Sequence, residues 1–285
     1  LGFLVPPFLI GIAACIVFLI KEVRRIKLKY WKFCLVLSVP LMLHGLAGAA
    51  MAQIGRISIQ QYFDDSLVGI YSIGITVASF VGMVQSATNN AFMPFMFDDL
   101  AGKNPENIKV QRFCNYIIFF TLGTASFLFV TPELLKVFAP ENYWNVIPII
   151  PILIVGHFCS FLYTFPVNYE FFVMKTAFIG IGTSAAAIIS VVSAIALVPQ
   201  LGMLGAALST TIAYFFLFVF HFLLSRFRYG DWNYPARWFV LSLTVVVGIA
   251  LLETLLLDFV LIRWALGLVL LGALGARLWK TKRIF

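Results

Sequence analysis

The sequence predicts an all-α polytopic membrane protein with about nine transmembrane helices. Hydrophobic residues make up 62% of the 285 residues, and charged residues make up only 11%. An ordinary soluble domain is excluded, because such domains hold roughly 45–50% apolar and 25% charged residues. Apolar runs of membrane-spanning length recur along the chain, and no stretch shows the sustained period-two alternation typical of a strand.

Nine apolar runs are predicted to span the bilayer, since a helix of about 20 residues crosses the hydrocarbon core. Polar or proline-containing turns separate them. The predicted spans are residues 3–20, 33–54, 67–92, 113–132, 147–167, 177–197, 203–225, 238–257 and 259–277.

The basic residues indicate how these spans are oriented. Of the 20 Lys and Arg residues, 17 fall in alternate connections or in the C-terminal tail. They lie at residues 21–32, 103–112, 175, 226–237 and 277–283. This is the positive-inside pattern, so these connections and the C-terminus are predicted to be cytoplasmic. The net charge of +8 then reports orientation, and no nucleic-acid partner is expected.

Residues 38–97 organise the chain, because two spans there meet at a short polar tip and Arg56 lies close to that tip. An arginine at membrane depth costs roughly 2.5–3.5 kcal/mol, and two interpretations are open. Arg56 either faces protein or water in a functional cavity, or snorkels to the nearby surface beside Asp64 and Asp65.

Three motifs in this stretch are similar to those of one known family. They are S-V-P-L at 38–41 with His44, R-I-S-I at 56–59 followed by V-G-I-Y-S at 68–72, and N-N-A-F-M-P at 89–94. They resemble the S-x-P-L-x-x-H, D-R-I-x-I…V-G-I-Y-S and N-Q-A-W-x-P signatures of bacterial polysaccharide (O-antigen type) flippases. That family belongs to the superfamily that includes the MATE exporters.

A fourth motif, P-Q-L-G-M-L-G-A-A-L-S-T at residues 199–210, resembles the P-x-F-G-I-x-G-A-A-x-A-T of these flippases. The chain also departs from the family. Gly55 stands where the family usually has Asp, so an Asp–Arg pair at that place is lost, and Asn90 and Phe92 are milder departures.

The resemblance implies two six-helix lobes with two appended helices. Residues 1–20 would form the last helix of the N-terminal lobe and residues 21–32 the cytoplasmic basic inter-lobe linker. Residues 33–225 would form the second six-helix transport lobe. Residues 226–285 would form a cytoplasmic connection, the two appended transmembrane helices and a basic tail. Because the chain begins with Leu1 rather than Met, we expect a fragment whose N-terminal lobe is missing.

The linker sequence KEVRRIKLKYWK has two interpretations. Its apolar residues recur at helical spacing, which predicts an amphipathic helix lying in the cytoplasmic membrane interface. The alternative is a positively charged loop that only fixes orientation.

Five polar residues within the spans are candidates for substrate binding: Arg56, His44, Gln85, Asn89 and Asn90. Arg56 would contact the pyrophosphate of the cargo that the resemblance implies. His44 either faces a cavity or is packed and hydrogen-bonded. The amide cluster either holds helices together or lines a wet path.

Two further groups are predicted to be structural. Arg263 can pair with Glu253 or Asp258 to form an ion-paired rim near the membrane surface. His157 and His221 lie within apolar spans and are expected to be packing residues.

No catalytic residue, metal or cofactor is expected. The sequence has no H-E-x-x-H motif, Walker loop or G-x-S-x-G, and its cysteines lack metal-ligand spacing. The protein is therefore predicted to be a transporter and not an enzyme. Without a nucleotide-binding motif it is predicted to be a secondary transporter.

Three functions are weighed. The first, implied by the resemblance, is a flippase that moves a polyprenyl-pyrophosphate-linked oligosaccharide to the outer leaflet of the bacterial inner membrane. Its partners would be membrane lipids and the missing N-terminal lobe. The second is a cation-coupled multidrug exporter of the same fold, which acidic residues deep in the lobe would favour; only Glu170, near a helix end, is found. The third is a non-transporting scaffold or a membrane-embedded glycosyl transferase, and the sequence lacks the acidic residues or large loop that a transferase needs.

Overall fold

The computed structural model describes residues 5–21 and 28–281, and every regular element in these two ranges is helical. The elements are α1 (Val5–Lys21), α2 (Leu28–Tyr62), α3 (Asp65–Leu100), α4 (Glu106–Phe138), a 3₁₀ helix (Glu141–Ile149), α5 (Ile150–Phe172), α6 (Ala177–Leu201), α7 (Met203–Phe227), α8 (Ala236–Leu255) and α9 (Val260–Thr281).

The predicted fold class is confirmed: the chain is an all-α polytopic membrane protein. Within the described ranges, eight helical segments are long and apolar enough to cross a membrane, and α1 contains the shorter apolar segment Val5–Phe18. Each predicted span coincides with one of the helices, the fifth beginning in the 3₁₀ turn. Most of the helices are longer than the apolar runs; α2 continues to Tyr62 and α3 to Leu100. A helix can continue past its apolar run because its backbone hydrogen bonds are satisfied internally in lipid and in water alike.

The chain divides into two compact units, Leu1–Val39 and Pro40–Phe285. In the first unit, the described residues form α1 and the start of α2. The amphipathic helix predicted for the basic linker falls mainly on residues 22–27, which lie outside the described residues, whereas residues 28–32 belong to α2. The predicted division into lobes stays a prediction.

In the second unit, α5 is the central helix, and it packs against α3, α7 and α8. Aromatic rings from four helices meet on its buried face. Phe165 of α5 contacts Phe92 of α3, Phe113 of α4 and Phe239 of α8, with ring centroids 5.9, 5.1 and 5.5 Å apart and edge-on geometry. This geometry is favourable for aromatic pairs, so the cluster holds the helices around α5.

Two tight turns lie at one end of this unit. In the α2–α3 turn, Asp64 Oδ1 accepts a hydrogen bond from the backbone N–H of Leu67 at 2.8 Å and caps α3. Gly202 joins α6 to α7 with φ +55°, a conformation that glycine adopts without steric cost. A Cβ on Gly205 would lie 2.4 Å from the Leu197 carbonyl oxygen, so this part of the fourth motif forms a closely packed helix face.

The predicted partners of Arg263 were wrong. Its fully buried guanidinium forms a bidentate ion pair with Glu133 of α4, with Nη1 2.8 Å from Oε2 and Nη2 bonded to Oε1. Its other hydrogen bonds go to three backbone carbonyls. Glu133 lies 130 residues away in sequence. It reaches Arg263 because α9 packs along α4.

Candidate functional site

Arg56 lies in α2 about two helical turns before the helix ends at Tyr62. The side chain is half-buried and turns toward α3. Its Nε donates to Ser72 Oγ at 3.0 Å, and its Nη1 donates to Gln53 Oε1 at 3.2 Å. Both partners are neutral, and the salt bridges among the described residues do not include Arg56.

The two aspartates at the helical tip have other partners. Asp64 caps α3, and Asp65 Oδ1 accepts from Gln60 Nε2 at 3.1 Å. Arg56 therefore does not reach these carboxylates, and its described contacts match a cavity-facing side chain better than a snorkelling one.

Arg56 opens onto a cavity of about 180 Å³ between α2, α3, α5 and α7, which we call the Arg56 cavity. It has room for several water molecules. It is lined by Met51, Ala52, Gly55, Arg56, Tyr71, Ile75, Ser79, Leu153, His157, Thr210 and Tyr214. The lining combines one guanidinium with hydroxyl and imidazole groups, and none of the described lining residues carries a carboxylate.

Gly55 shapes this cavity by making room for Tyr71. A Cβ on Gly55 would lie 2.8 Å from the Tyr71 hydroxyl oxygen and 2.9 Å from its Cε1. The Tyr71 side chain is almost fully buried and fills the space that a larger residue at position 55 would take. Gly55 thus fits here for a physical reason, because a side chain at this position would collide with the Tyr71 ring.

The other predicted site residues lie elsewhere. His44 Nδ1 is 2.7 Å from Thr183 Oγ1, which joins α2 to α6. The Thr183 hydroxyl donates to the Ile179 carbonyl at 2.8 Å, so the imidazole is the donor to Thr183. This geometry matches the packed, hydrogen-bonded interpretation of His44.

The amide cluster of α3 is far from Arg56. Asn89 Oδ1 accepts from Asn168 Nδ2 of α5 at 2.9 Å, Gln85 is half-buried and Asn90 is exposed. Asn89 lies 17 residues beyond Ser72, about 25 Å along α3. The five predicted residues therefore do not form one site, and of the five only Arg56 lines the Arg56 cavity.

Sequence reasoning missed several lining residues. Tyr71 is the next-to-last residue of the second motif and Thr210 is the last residue of the fourth, so the signal was present but no role was assigned to them. His157 was predicted to be structural, yet it lines the cavity together with Tyr214. Their spacing of 57 residues gives no local pattern, since the packing of α5 against α7 brings them together.

The chain is similar to a protein of Haemophilus influenzae named Lsg locus putative protein 1. The two are 28% identical over 202 residues, which covers 64% of this chain and 48% of that protein. The chain thus spans about half the length of this relative. No protein-family model and no solved structure matches the chain. The relationship is distant, and the relative's name contains a locus and no activity.

Proposed function

We propose that the chain is part of a secondary transporter that moves a lipid-linked oligosaccharide from the cytoplasmic to the outer leaflet, for surface polysaccharide synthesis. The cargo would carry a polyprenyl-pyrophosphate. The protein would lie in the bacterial inner membrane with its C-terminus in the cytoplasm, and it would act as a transporter and not as an enzyme. The four motifs, the membrane fold and the distant similarity to a protein named for the Lsg locus support this proposal.

One observation carries the proposal: the charge of Arg56 has no anionic partner among the described residues. Two of the five N–H donors of its guanidinium are used, and both go to neutral oxygens. A cation at membrane depth without a partner is a default indication of function. Its remaining donors point to an anion as the ligand.

The chemistry of the cavity suits a phosphate group. A guanidinium presents planar, paired donors that match two phosphate oxygens, whereas a lysine ammonium does not reproduce that geometry. The hydroxyls of Tyr71, Ser79 and Thr210 line the same cavity and make its wall polar. The Ser79 and Thr210 hydroxyls already donate to backbone carbonyls of their own helices, so the free donors for a phosphate come from the guanidinium. The site must also release its ligand, and a half-open cavity with one positive charge binds less tightly than a closed cage of cations.

A cation-coupled drug exporter of the same fold is the second candidate. The buried Glu170 favours it, because a carboxylate deep in the fold can serve a coupling cation. The Arg56 cavity weighs against a cationic drug as the cargo, since its lining holds a positive charge and no carboxylate. We therefore place the anionic lipid-linked oligosaccharide first.

The test is export in cells that lack the native protein and carry the full-length chain or its variants. Arg56→Ala should cause lipid-linked oligosaccharide to accumulate on the cytoplasmic side. The amount of the variant protein in the membrane should stay normal. Lys136→Ala is the matched control, because Lys136 is an exposed cation in the last turn of α4 and lies outside the cavity. If cells that lack the native protein export oligosaccharide normally but become more sensitive to drugs, the flippase function is rejected and the drug exporter is supported.

A further inference from the structure

A second buried group lies away from the Arg56 cavity, where α5 and α7 approach the connections that carry basic residues. Glu170 and His221 are both fully buried, and Glu170 Oε1 is 2.6 Å from His221 Nδ1. Glu170 lies in the last turn of α5, and His221 lies about two turns before the end of α7. They are separated by 51 residues in sequence, so only the packing of the two helices joins them.

The imidazole is enclosed on its far side by α6. A Cβ on Gly182 would lie 2.5 Å from His221 Nε2, so the ring fits only because this residue is glycine. Tyr163 and Phe220 pack edge-on against the ring with centroids 5.0 and 5.1 Å away. The pair is therefore held in a fixed, apolar environment.

One polar atom of each residue in the pair makes no hydrogen bond to the rest of the described fold. Glu170 Oε2 and His221 Nε2 are buried and have no hydrogen-bond partner among the described residues. Buried polar atoms are normally satisfied, because leaving one unpaired is unfavourable. A purely structural ion pair would have been expected to satisfy both atoms, as the Arg263–Glu133 pair does with its additional carbonyls.

We infer that Glu170 and His221 form a buried proton-binding site. One proton lies between Oε1 and Nδ1, whether the pair is drawn as carboxylate and imidazolium or as carboxylic acid and imidazole. Taking up a second proton gives carboxylic acid and imidazolium; releasing the first gives carboxylate and neutral imidazole. Each step moves only a proton and changes the charge of the site by one. With one proton shared between Oε1 and Nδ1, the imidazole also carries a hydrogen on Nε2, so the second proton is received by Glu170 Oε2. When a proton is released, it leaves from Nε2, and the proton between Oε1 and Nδ1 stays on the imidazole.

The residues around the pair determine how much a change in its net charge costs. Among the described residues, the titratable groups that face the pair are His44 from α2, Tyr163 from α5 and Tyr229 from the α7–α8 connection. The charged Arg228 lies beside Tyr229. From α6 the pair meets Gly182, which cannot titrate. A net charge enclosed in this way is costly, so it favours arrangements of α5 and α7 that admit water. Proton occupancy and helix packing are thereby linked.

The site also has a neighbour closer to the surface. His44 is half-buried and is bonded to Thr183, the residue after Gly182. Coupling of this site to transport rests on the proposed function, with a proton as the coupling ion. Proton binding itself does not rest on it, so the two can fail separately.

The direct test is infrared difference spectroscopy of the purified full-length protein during a pH titration. Protonation of a buried carboxylate produces a carboxylic C=O band, and Glu170→Gln should remove the component that wild type shows. Glu141→Gln is the matched control, because Glu141 is exposed and should leave that component intact. An unchanged band in Glu170→Gln would overturn the proposal.

A second variant covers the case in which Glu170→Gln does not fold. Gly182→Ala keeps both Glu170 and His221 but displaces the imidazole, so it should shift the pH midpoint of the Glu170 band. A midpoint equal to that of wild type would reject the pair as the site of protonation. In liposomes with an imposed pH gradient, Glu170→Gln should lose the gradient-dependent part of oligosaccharide export. If wild type shows the band but exports no oligosaccharide, the proposed function fails and the proton site stands.

Discussion

Arg56 and Arg263 are the same residue type and lie near the same end of the second unit, yet their surroundings are opposite. Arg263 is fully buried, paired with Glu133 through two bonds and bonded to three backbone carbonyls. Arg56 is half-buried, has only neutral partners within the part of the chain that the structure describes, and borders a cavity. Position near the end of a span is thus compatible with both a structural and a ligand-binding arginine. What separates them is whether the fold already neutralises the charge.

The first prediction concerns Arg263, where we expect the largest effect. Arg263→Ala leaves the Glu133 carboxylate without its cation, and breaking a buried pair costs about 3–5 kcal/mol. Because the Glu133 side chain is 20% exposed, we expect the lower end of that range. The midpoint of thermal unfolding in detergent should fall, and so should the amount of protein in the membrane. Arg263→Lys is the matched variant and should be intermediate, because an ammonium keeps the charge but loses the paired geometry. A stable and abundant Arg263→Ala protein would remove the contrast between the two arginines.

The second prediction asks whether Arg56 binds an anion. Pyrophosphate should raise the thermal midpoint of the purified full-length protein, because a ligand that binds the folded state stabilises it. In Arg56→Ala the increase should be lost, since charge-assisted bonds contribute about 1.5–3 kcal/mol, roughly ten- to a hundredfold in affinity. Arg263→Lys should keep the increase from its lower starting midpoint.

Sodium chloride at equal ionic strength is the control for screening in this experiment. An equal pyrophosphate response in wild type and Arg56→Ala would place anion binding elsewhere. Arg56 would then be a packing residue like Arg263.

The third prediction uses a glycine beside each arginine. In Gly55→Ala the new Cβ lies under 3 Å from Tyr71, so the ring must move, at about 1–3 kcal/mol. In Gly267→Ala the nearest atom is Phe129 Cβ at 3.5 Å, an ordinary contact, and the change should be neutral or slightly stabilising. Thermal midpoints of the two variants measure the difference.

The double variant Gly55→Ala/Tyr71→Ala provides a further check. If the cost of Gly55→Ala comes from the Tyr71 ring, adding this methyl to the Tyr71→Ala protein should cost much less than adding it to wild type. Equal costs in the two backgrounds would mean that Tyr71 does not set the shape of the Arg56 cavity.

The two arginines also show what the sequence can predict. The spans follow from the length of each apolar run, because the bilayer fixes that length, and each predicted span coincides with a helix. Arg56 was identified because a charge in an apolar run is conspicuous. The partners of Arg263 were wrong because Glu133 lies 130 residues away and only the packing of α9 on α4 brings it close. The Glu170–His221 pair was missed for the same reason.

The last and smallest effect is expected at Asp231, a buried carboxyl in the α7–α8 connection, outside the membrane-spanning helices. Burial raises the pKa of Asp231, and this outweighs the hydrogen bonds from Asn233 and the charges of Arg226 and Lys109. The folded state therefore holds the proton more tightly than the unfolded state, whose pKa is about 3.9. The stabilisation is full below that value and is lost as pH rises through the raised pKa of the folded state.

Asp231→Asn removes this dependence while keeping an acceptor for Asn233. The thermal midpoint of wild type should therefore fall relative to that of Asp231→Asn as pH rises from below the ordinary aspartate range toward neutrality. Asp258→Asn, in the exposed α8–α9 turn, controls for the loss of one negative charge and should follow wild type. Parallel curves for wild type and Asp231→Asn would mean that Asn233, Arg226 and Lys109 neutralise this carboxylate as fully as Arg263 neutralises Glu133. The contrast between charges that are neutralised by a partner and charges that lack one would then be confined to the membrane-spanning helices.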